Sequence, residues 1–106
     1  MDNKLKNVKF KVVGVTFANE DGSSRQAIIK SMANNSPVRL KREPTNIYDK
    51  NAVAVFYMDQ QIGYIGKQFA QILAPLMDQG RVFNAKIDTT DVYKSINYCH
   101  IIVDEE

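Results

Sequence analysis

Two kinds of hydrophobic periodicity run along this chain. Six short segments alternate apolar and polar residues or are continuously apolar, which predicts β-strands at Leu5–Val15, Val38–Glu43, Ala52–Met58, Gln61–Ile65, Val82–Ile87 and Asn97–Val103. Two segments, Arg25–Met32 and Lys67–Asp78, have the apolar spacing of amphipathic helices. Short strands separated by frequent turn signals predict a mainly β fold (α+β by element count), a small OB- or SH3-like six-stranded β-barrel with two short helices.

Turn-forming and helix-breaking residues set the expected boundaries. Asp59–Gln60 is predicted to be a hairpin turn, and Asp88–Ser95 a connection between the last two strands. Pro75 is expected to kink the second helix or to divide it. The apolar run Ala52–Met58 is typical of a strand that is buried on both faces.

Composition and length indicate one ordinary domain. The chain has 106 residues, of which 44% are hydrophobic and 25% are charged, enough for one core without disulfides. We expect a single domain over residues 1–106, with its core at about 8–103 and a solvated acidic tail at 104–106. No apolar run is long enough to cross a bilayer, and Met1–Phe10 lacks the apolar stretch of a signal peptide. With one cysteine as well, these features predict a cytoplasmic protein with no membrane partner.

Charge is distributed unevenly along the chain. Residues 1–45 hold nine Lys and Arg against four acidic residues, whereas residues 46–106 hold five against eight. Such asymmetry permits a basic face for a polyanion, although charge alone favours an ordinary mixed surface. Charge alone therefore does not decide the type of partner.

Residues for catalysis are scarce. No serine lies in a G-x-S-x-G context, and the neighbours Cys99 and His100 point to opposite faces of their predicted strand. A metal-dependent nuclease could use Glu43, Asp49 and Asp59, but nothing in their spacing requires it. We therefore predict a protein that is not an enzyme and that needs neither a metal nor another cofactor.

The segment Arg42–Ala52 combines an aromatic ring, a carboxylate and carboxamides between two predicted strands. Tyr48 offers a flat face for stacking, Asp49 can accept a hydrogen bond from a hydroxyl, and Asn46 supplies donors and an acceptor. Such groups suit nucleotide binding. Asn and Asp also bind their own backbone in turns, so a purely structural role of this loop stays open.

Two glycines bracket a tyrosine in the segment Gln61–Lys67. Gly63 and Gly66 permit a close backbone approach, and the amide groups at the following helix start, near Lys67, can receive a phosphate. The same glycines can instead serve only the hairpin and the helix entry. Phe17, after the first strand, is either a core residue or an exposed stacking platform.

The chain resembles the HIRAN domain family in an ordered set of motifs between about Phe10 and Ile87. The most specific part is R-E-P-x-N-x-Y-D-x-N-A-V-x-V at 42–55, followed by I-G-Y-I at 62–65. Many positions and their order match at once there. Weaker matches lie at 10–17, 25–26, 38–40, 70 and 76–80.

This resemblance implies an OB-like barrel that recognises the 3′-hydroxyl end of single-stranded DNA without catalysing a reaction. By motif, Tyr48 and Phe17 would flank the terminal base, and Asp49 would accept a hydrogen bond from the 3′-hydroxyl. Asn46 would touch the base edge or position the loop. The implied partners are single-stranded DNA 3′ ends and a DNA-processing enzyme acting in trans.

The resemblance also assigns the phosphates, and the chain departs from the family pattern near them. Lys67 and Tyr64 would meet phosphates at the helix start. Thr16, the remaining nucleic-acid-binding candidate, stands where some DNA-binding members carry Arg. Ile47 stands where Pro is common in the family, so the loop is expected to be less rigid, and Gly66 also replaces a frequent Pro.

A second interpretation from another functional class remains open. The barrel could be a protein–protein adaptor of a DNA-repair or phage-related assembly, with a structural 42–52 loop and no DNA binding of its own. That hypothesis predicts an exposed apolar patch around Tyr93 and Tyr98.

Overall fold

A closed antiparallel barrel is formed by the residues that the structure, a computed structural model, describes, namely 4–106. The strands follow one another around it in the order β1-β4-β3-β2-β5-β6. The elements are β1 (Val8–Val13), α1 (Arg25–Ser31), β2 (Pro37–Arg42), β3 (Val53–Tyr57), β4 (Gln60–Ile65), α2 (Lys67–Asp78), β5 (Phe83–Tyr93) and β6 (Ile96–Glu105). The predicted mainly β barrel with six strands and two helices is confirmed. Pairing of β1 with β6 closes it completely.

The core fills the barrel with aliphatic side chains. Val53, Ala54 and Val55 of β3 are all fully buried, so the predicted burial on both faces is correct for the first part of Ala52–Met58 but wrong for Met58, which is 78% exposed. Leu73 and Ala74 of α2 are fully buried as well. The two helices therefore close the barrel where its strands alone would leave apolar residues in water.

Local signals placed most boundaries well, with small corrections. α1 begins after Ser24, whose hydroxyl accepts a hydrogen bond from the backbone N–H of Ala27 at 3.1 Å. α2 continues through Pro75 as one helix and is not divided. The β3–β4 turn is formed by Met58 and Asp59 rather than by Asp59–Gln60, since both residues have positive φ, 47° and 68°.

The predicted connection Asp88–Ser95 is wrong, because most of it belongs to β5. This strand continues to Tyr93, and the tight turn to β6 consists of Lys94 and Ser95 with φ of 49° and 65°. A register shift between Ile87 and Thr89 marks the point beyond which β5 pairs with β6 alone. The result is a long β5–β6 hairpin that extends beyond the pairing between β5 and β2.

The acidic C-terminus is part of the barrel, so the prediction of a solvated tail at 104–106 is wrong for its first two residues. Asp104 accepts a hydrogen bond from the backbone N–H of Asn7 at 2.7 Å. Glu105 is only 5% exposed, accepts from the backbone N–H of Leu5, and is paired with both Nε and Nη2 of Arg81 at 2.5 and 2.6 Å. These bonds tie the two ends of the described chain together.

This ion pair predicts a specific dependence of stability on pH. Hydrogen bonding to Arg81, followed by the backbone N–H of Leu5, lowers the pKa of Glu105 from 4.5 to about 2. The lowered pKa stabilises the fold above pH 4.5, and this contribution is lost as pH falls through about 2. We expect Glu105→Gln to be less stable than the parent near neutral pH, with a gap that closes at the acidic end, measured by urea unfolding. Glu106→Gln, at an exposed position, is the control, and a gap that stays constant with pH would contradict the prediction.

Candidate nucleic-acid interface

A cavity of about 720 Å³ opens on the side of the barrel where the β1–α1 turn, the 43–52 loop and the start of α2 meet. Six of the seven nominated binding residues line it, namely Phe17, Asn46, Tyr48, Asp49, Tyr64 and Lys67. The remaining lining residues are Val13, Gly14, Arg25, Ala52 and Ile65. Residues from four separate segments therefore converge on one concave site.

Thr16 is the nominated residue that the structure does not bring into the cavity lining. It lies exposed in the turn between Gly14 and Phe17, which is closed by a hydrogen bond from Phe17 N to Gly14 O at 3.3 Å. Phe17, at the end of this turn, lines the cavity, whereas Thr16 does not.

The 43–52 loop is held by its own polar side chains. Asn46 Oδ1 accepts from the backbone N–H groups of Tyr48 and Asp49 at 2.9 and 3.1 Å. Asp49 Oδ1 accepts from the backbone N–H of Asn51 at 2.9 Å. The structural role that the sequence left open for this loop is thus present. This structural role does not prevent Asp49 from binding a ligand. The residue lines the cavity, and among the described residues its side chain makes no further hydrogen bond.

Two aromatic side chains stand free beside the cavity. Tyr48 is 87% exposed and Phe17 is 68% exposed. A folded domain has little to gain from holding two large rings in water, so they are available to cover a ligand. This exposure decides the alternative posed by the sequence for Phe17, which is not a core residue.

Arg25 is the residue of this site that sequence reasoning missed. Arg25 lines the cavity although it is only 8% exposed. Nε donates to Asn19 Oδ1 and Nη1 donates to Gly14 O, both at 2.8 Å, and the group lies 5.7 Å from the centre of the Tyr64 ring. Burial lowers the pKa of Arg25, against the opposing effects of Tyr64 and Glu43. The amphipathic pattern of α1 gave no sign that its first residue would be a buried cation.

A hydrogen-bonded chain joins the two walls of the cavity through Glu43. Tyr64 donates its hydroxyl to Glu43 Oε1 at 2.9 Å, and Asn46 Nδ2 donates to the same oxygen at 3.0 Å. Burial raises the pKa of Tyr64. The Tyr64 hydroxyl is therefore committed to the protein, and what it offers the cavity is chiefly its ring.

The two glycines around Tyr64 have different surroundings. A Cβ built on Gly63 would meet the carbonyl oxygen of Val13 at 2.3 Å, so the close approach at Gly63 is to β1 and serves the barrel. Gly66 is the N-cap of α2, and its carbonyl accepts from the backbone N–H groups of Phe69 and Ala70. For Gly63 the structural interpretation is correct.

The described residues offer little support for other kinds of site. Within residues 4–106, no group of three or more His, Cys, Asp or Glu side chains is placed to hold a metal ion. None of the helices in this range has the length and apolar character needed to span a membrane. Cys99 is fully buried, and burial raises the pKa of its thiol to about 12, so it is not a reactive nucleophile.

Comparison with known protein families shows to which family this chain belongs. The family described as the HIRAN domain matches residues 5–99, which extends the resemblance across the β5–β6 hairpin. The chain belongs to the HIRAN domain family. Its six strands and two helices are thus one version of the HIRAN fold.

Solved structures share this HIRAN fold over nearly the whole chain. The crystal structure of the HIRAN domain of human HLTF aligns with a TM-score of 0.70 and 24% identity, covering 97% of this chain and 78% of that one. A Lactobacillus plantarum protein aligns with a TM-score of 0.71 and 26% identity over 95% and 94% of the two chains. The NMR structure of the HLTF HIRAN domain in its DNA-bound conformation aligns with a TM-score of 0.63 and 23% identity, covering 95% and 76%.

Curated relatives share only a short part of their sequences with this HIRAN domain. Helicase-like transcription factor from Oryctolagus cuniculus is 50% identical over 46 residues, which is 42% of this chain and 5% of the relative. A putative SWI/SNF-related matrix-associated actin-dependent regulator of chromatin subfamily A member 3-like 1 from Arabidopsis thaliana is 45% identical over 42 residues, 39% of this chain and 5% of the relative. The match therefore spans about one twentieth of these much longer proteins.

Proposed function

We propose that this HIRAN domain is a non-catalytic module that binds the 3′-hydroxyl end of single-stranded DNA in the cavity between Phe17 and Tyr48. The observation that carries the proposal is the exposure of these two rings, 68% and 87%, on a cavity that also contains a carboxylate and two cations. The DNA-bound conformation of the structurally similar HLTF HIRAN domain supports it.

Stacking supplies affinity without sequence preference. Every base has a π-face, and each base stacked on an aromatic side chain contributes about 1–3 kcal/mol. In the proposed complex the terminal base lies against the rings of Tyr48 and Phe17. The amide of Asn46, which also lines the cavity, faces the base edge or holds the loop through its bonds to the backbone of Tyr48 and Asp49.

The Asp49 carboxylate supplies recognition of the end. Its Oδ1 atom accepts from Asn51 N, which fixes its orientation and leaves acceptor capacity for a hydroxyl donor. An ionised carboxylate makes short, strong hydrogen bonds to a hydroxyl and repels a phosphate group at the same position. An internal nucleotide has no free 3′-hydroxyl, so this contact selects chain ends.

Two cations balance the carboxylate. Lys67, at the first position of α2, and Arg25 both line the cavity, the first exposed and the second buried. We assign Lys67 to the phosphate that precedes the terminal nucleoside, with the Tyr64 ring packed beside Arg25. In this proposal Thr16 adds no phosphate contact, and a DNA-processing or DNA-repair enzyme in trans would act on the captured end.

Replacing the terminal hydroxyl by a phosphate tests end recognition directly. We expect the parent protein to bind a short 3′-hydroxyl oligonucleotide at least about tenfold more tightly than its 3′-phosphate counterpart, because charge repulsion of ~1.4 kcal/mol already gives this ratio. Asp49→Asn keeps an oxygen for Asn51 N and removes the charge, so the ratio should fall close to one. Fluorescence anisotropy at low salt measures both ratios.

The matched control is Asp59→Asn, which removes one negative charge from the exposed β3–β4 turn, outside the cavity. It should leave the hydroxyl preference unchanged. Equal binding of both ends by the parent protein would overturn end capture and leave a generic basic groove. Absence of binding to either oligonucleotide would overturn DNA binding altogether and favour the adaptor hypothesis, for which Tyr93 is exposed as predicted, whereas Tyr98 is only partly exposed.

A further inference from the structure

A second cleft, of about 420 Å³, lies on the outer face of the β1–β6–β5 sheet. It is lined by Lys11, Asp91, Val92, Tyr93, Tyr98 and His100. The long β5–β6 hairpin forms this cleft, since Asp91 pairs with Tyr98 and Thr89 pairs with His100 across the two strands. The sequence did not predict this cleft, because residues 88–95 were expected to be a connection between strands.

Strand β1 connects this cleft to the DNA-binding cavity. Side chains alternate along β1. Phe10 and Val12 face the core, and Lys9, Lys11 and Val13 therefore lie together on the outer face. Val13 lines the first cavity and Lys11 lines the second. Two residues of a strand span about 7 Å, so the two sites adjoin along one row of side chains.

Lys11 gives the cleft its cation. Its Nζ atom lies 4.7 Å from the centre of the Tyr98 ring, and Lys11 is paired across the strands with His100. Lys9, one step further along β1, is instead paired with Asp88 at 3.5 Å. Within the described chain, Lys11 has no such ion pair, so its charge is available to a phosphate.

Aromatic and acidic side chains complete the cleft. Tyr93 is 61% exposed at the hairpin end and offers a second stacking surface away from the first cavity. Asp91 is the opposing charge on the β5 side. A polyanion in the cleft would be attracted by Lys11 and repelled by Asp91.

We propose that this cleft, here called the upstream subsite, binds the sugar–phosphate backbone and a base of single-stranded DNA on the 5′ side of the captured end. The proposal rests on the proposed function, because it assumes that the 3′ end occupies the first cavity. The chain then runs from the first cavity past Val13 to Lys11, and a base further along stacks on Tyr93. In this proposal the first cavity binds the 3′ end, and the upstream subsite binds the nucleotides that precede it.

Oligonucleotide length separates the two sites. Anisotropy titrations would compare a labelled oligothymidylate of two nucleotides with one of about eight, each ending in a 3′-hydroxyl. We expect the parent to bind the longer chain about tenfold more tightly, although both have one 3′ end, because added phosphate contacts raise affinity. Lys11→Gln should weaken binding of the longer chain about fivefold, reduce its salt slope by about one, and leave the dinucleotide unaffected.

Charge removal on the opposite wall gives the reciprocal test. Asp91→Asn should strengthen binding of the longer chain and leave the dinucleotide unchanged. The matched control is Lys30→Gln, an exposed lysine of α1 that lines neither site. Because Lys11, Asp91 and Lys30 are all exposed, folding of the variants is expected and is checked by thermal unfolding.

The outcomes distinguish the upstream subsite from end capture. If the dinucleotide binds but the longer chain gains nothing, or if Lys30→Gln has the same effect as Lys11→Gln, the upstream subsite is refuted and end capture stands. If the dinucleotide binds equally with a 3′-hydroxyl and a 3′-phosphate while the longer chain still depends on Lys11, end capture fails and the cleft remains as a general single-strand site. If neither length binds, both proposals fail.

Discussion

Gly63→Ala is expected to destabilise the barrel by about 3 kcal/mol or more, which in a domain of this size lowers the midpoint of thermal unfolding by more than ~10 °C or prevents folding. An added Cβ would lie 2.3 Å from the carbonyl oxygen of Val13 and 2.7 Å from Cγ1 of Val12. The first of these is backbone, so no side-chain rotation relieves the clash. Strands β1 and β4 meet at this position, and their separation must increase to admit the methyl group.

The size of this effect follows from where the clash occurs. Gly63 is fully enclosed in β4 and has φ of 156°, and the neighbouring pairs Val13↔Tyr64 and Val12↔Ile65 hold the two strands together. Moving β1 outward would open the barrel beside the first cavity, which Val13 and Tyr64 line. The same substitution should therefore also weaken DNA binding.

Gly22→Ala is the matched control for this prediction. Gly22 also has a positive φ, 85°, but an added Cβ there meets nothing within 4 Å. Only backbone strain remains, about 1–2 kcal/mol. Urea or thermal unfolding of both variants separates the effect of the steric clash from that of the backbone strain at positive φ. Equal losses of stability in the two variants would show that the contact with β1 is not the cause.

Most of the fold could be predicted because residues that face the core are apolar and recur at the spacing of a helix or a strand. α2 has the predicted bounds, Lys67–Asp78, since its apolar residues recur at helical spacing and Gly80 follows its end. The outer half of β5 could not be predicted in this way. Beyond Ile87 the side chains of β5 itself are mostly exposed, so Thr, Asp and Tyr follow with no burial pattern to mark a strand.

Some residues of the candidate site could be predicted from local sequence, and others could not. Tyr48, Asp49 and Asn46 are adjacent in sequence, so a local motif was enough to nominate them as one group. Arg25 reaches the cavity only because α1 packs beside the turn after β1, where its guanidinium binds the carbonyl of Gly14. A contact between residues eleven positions apart depends on the packing of elements, for which a single sequence carries no periodic signal.

Removing both aromatic walls, by Phe17→Ala with Tyr48→Ala, is expected to weaken binding of a 3′-hydroxyl oligonucleotide strongly. Stacking contributes about 1–3 kcal/mol per base, so the double variant should lose roughly 1–3 kcal/mol if the rings share one base, about fivefold to more than a hundredfold in Kd, and up to about 6 kcal/mol if they stack on two bases. The fold should be unaffected, because the two side chains are 68% and 87% exposed and leave no cavity in the core when they are truncated.

The single variants show whether the two rings act on one base. If Phe17 and Tyr48 enclose the same terminal base, either substitution alone should cost most of the affinity, and the two losses should not add. If each ring stacks on a different base, the losses should add. Ile72→Ala, which truncates an exposed apolar side chain on α2 outside both clefts, is the matched control and should bind like the parent. A double variant that binds as tightly as Ile72→Ala would exclude stacking between the two rings as the basis of end capture.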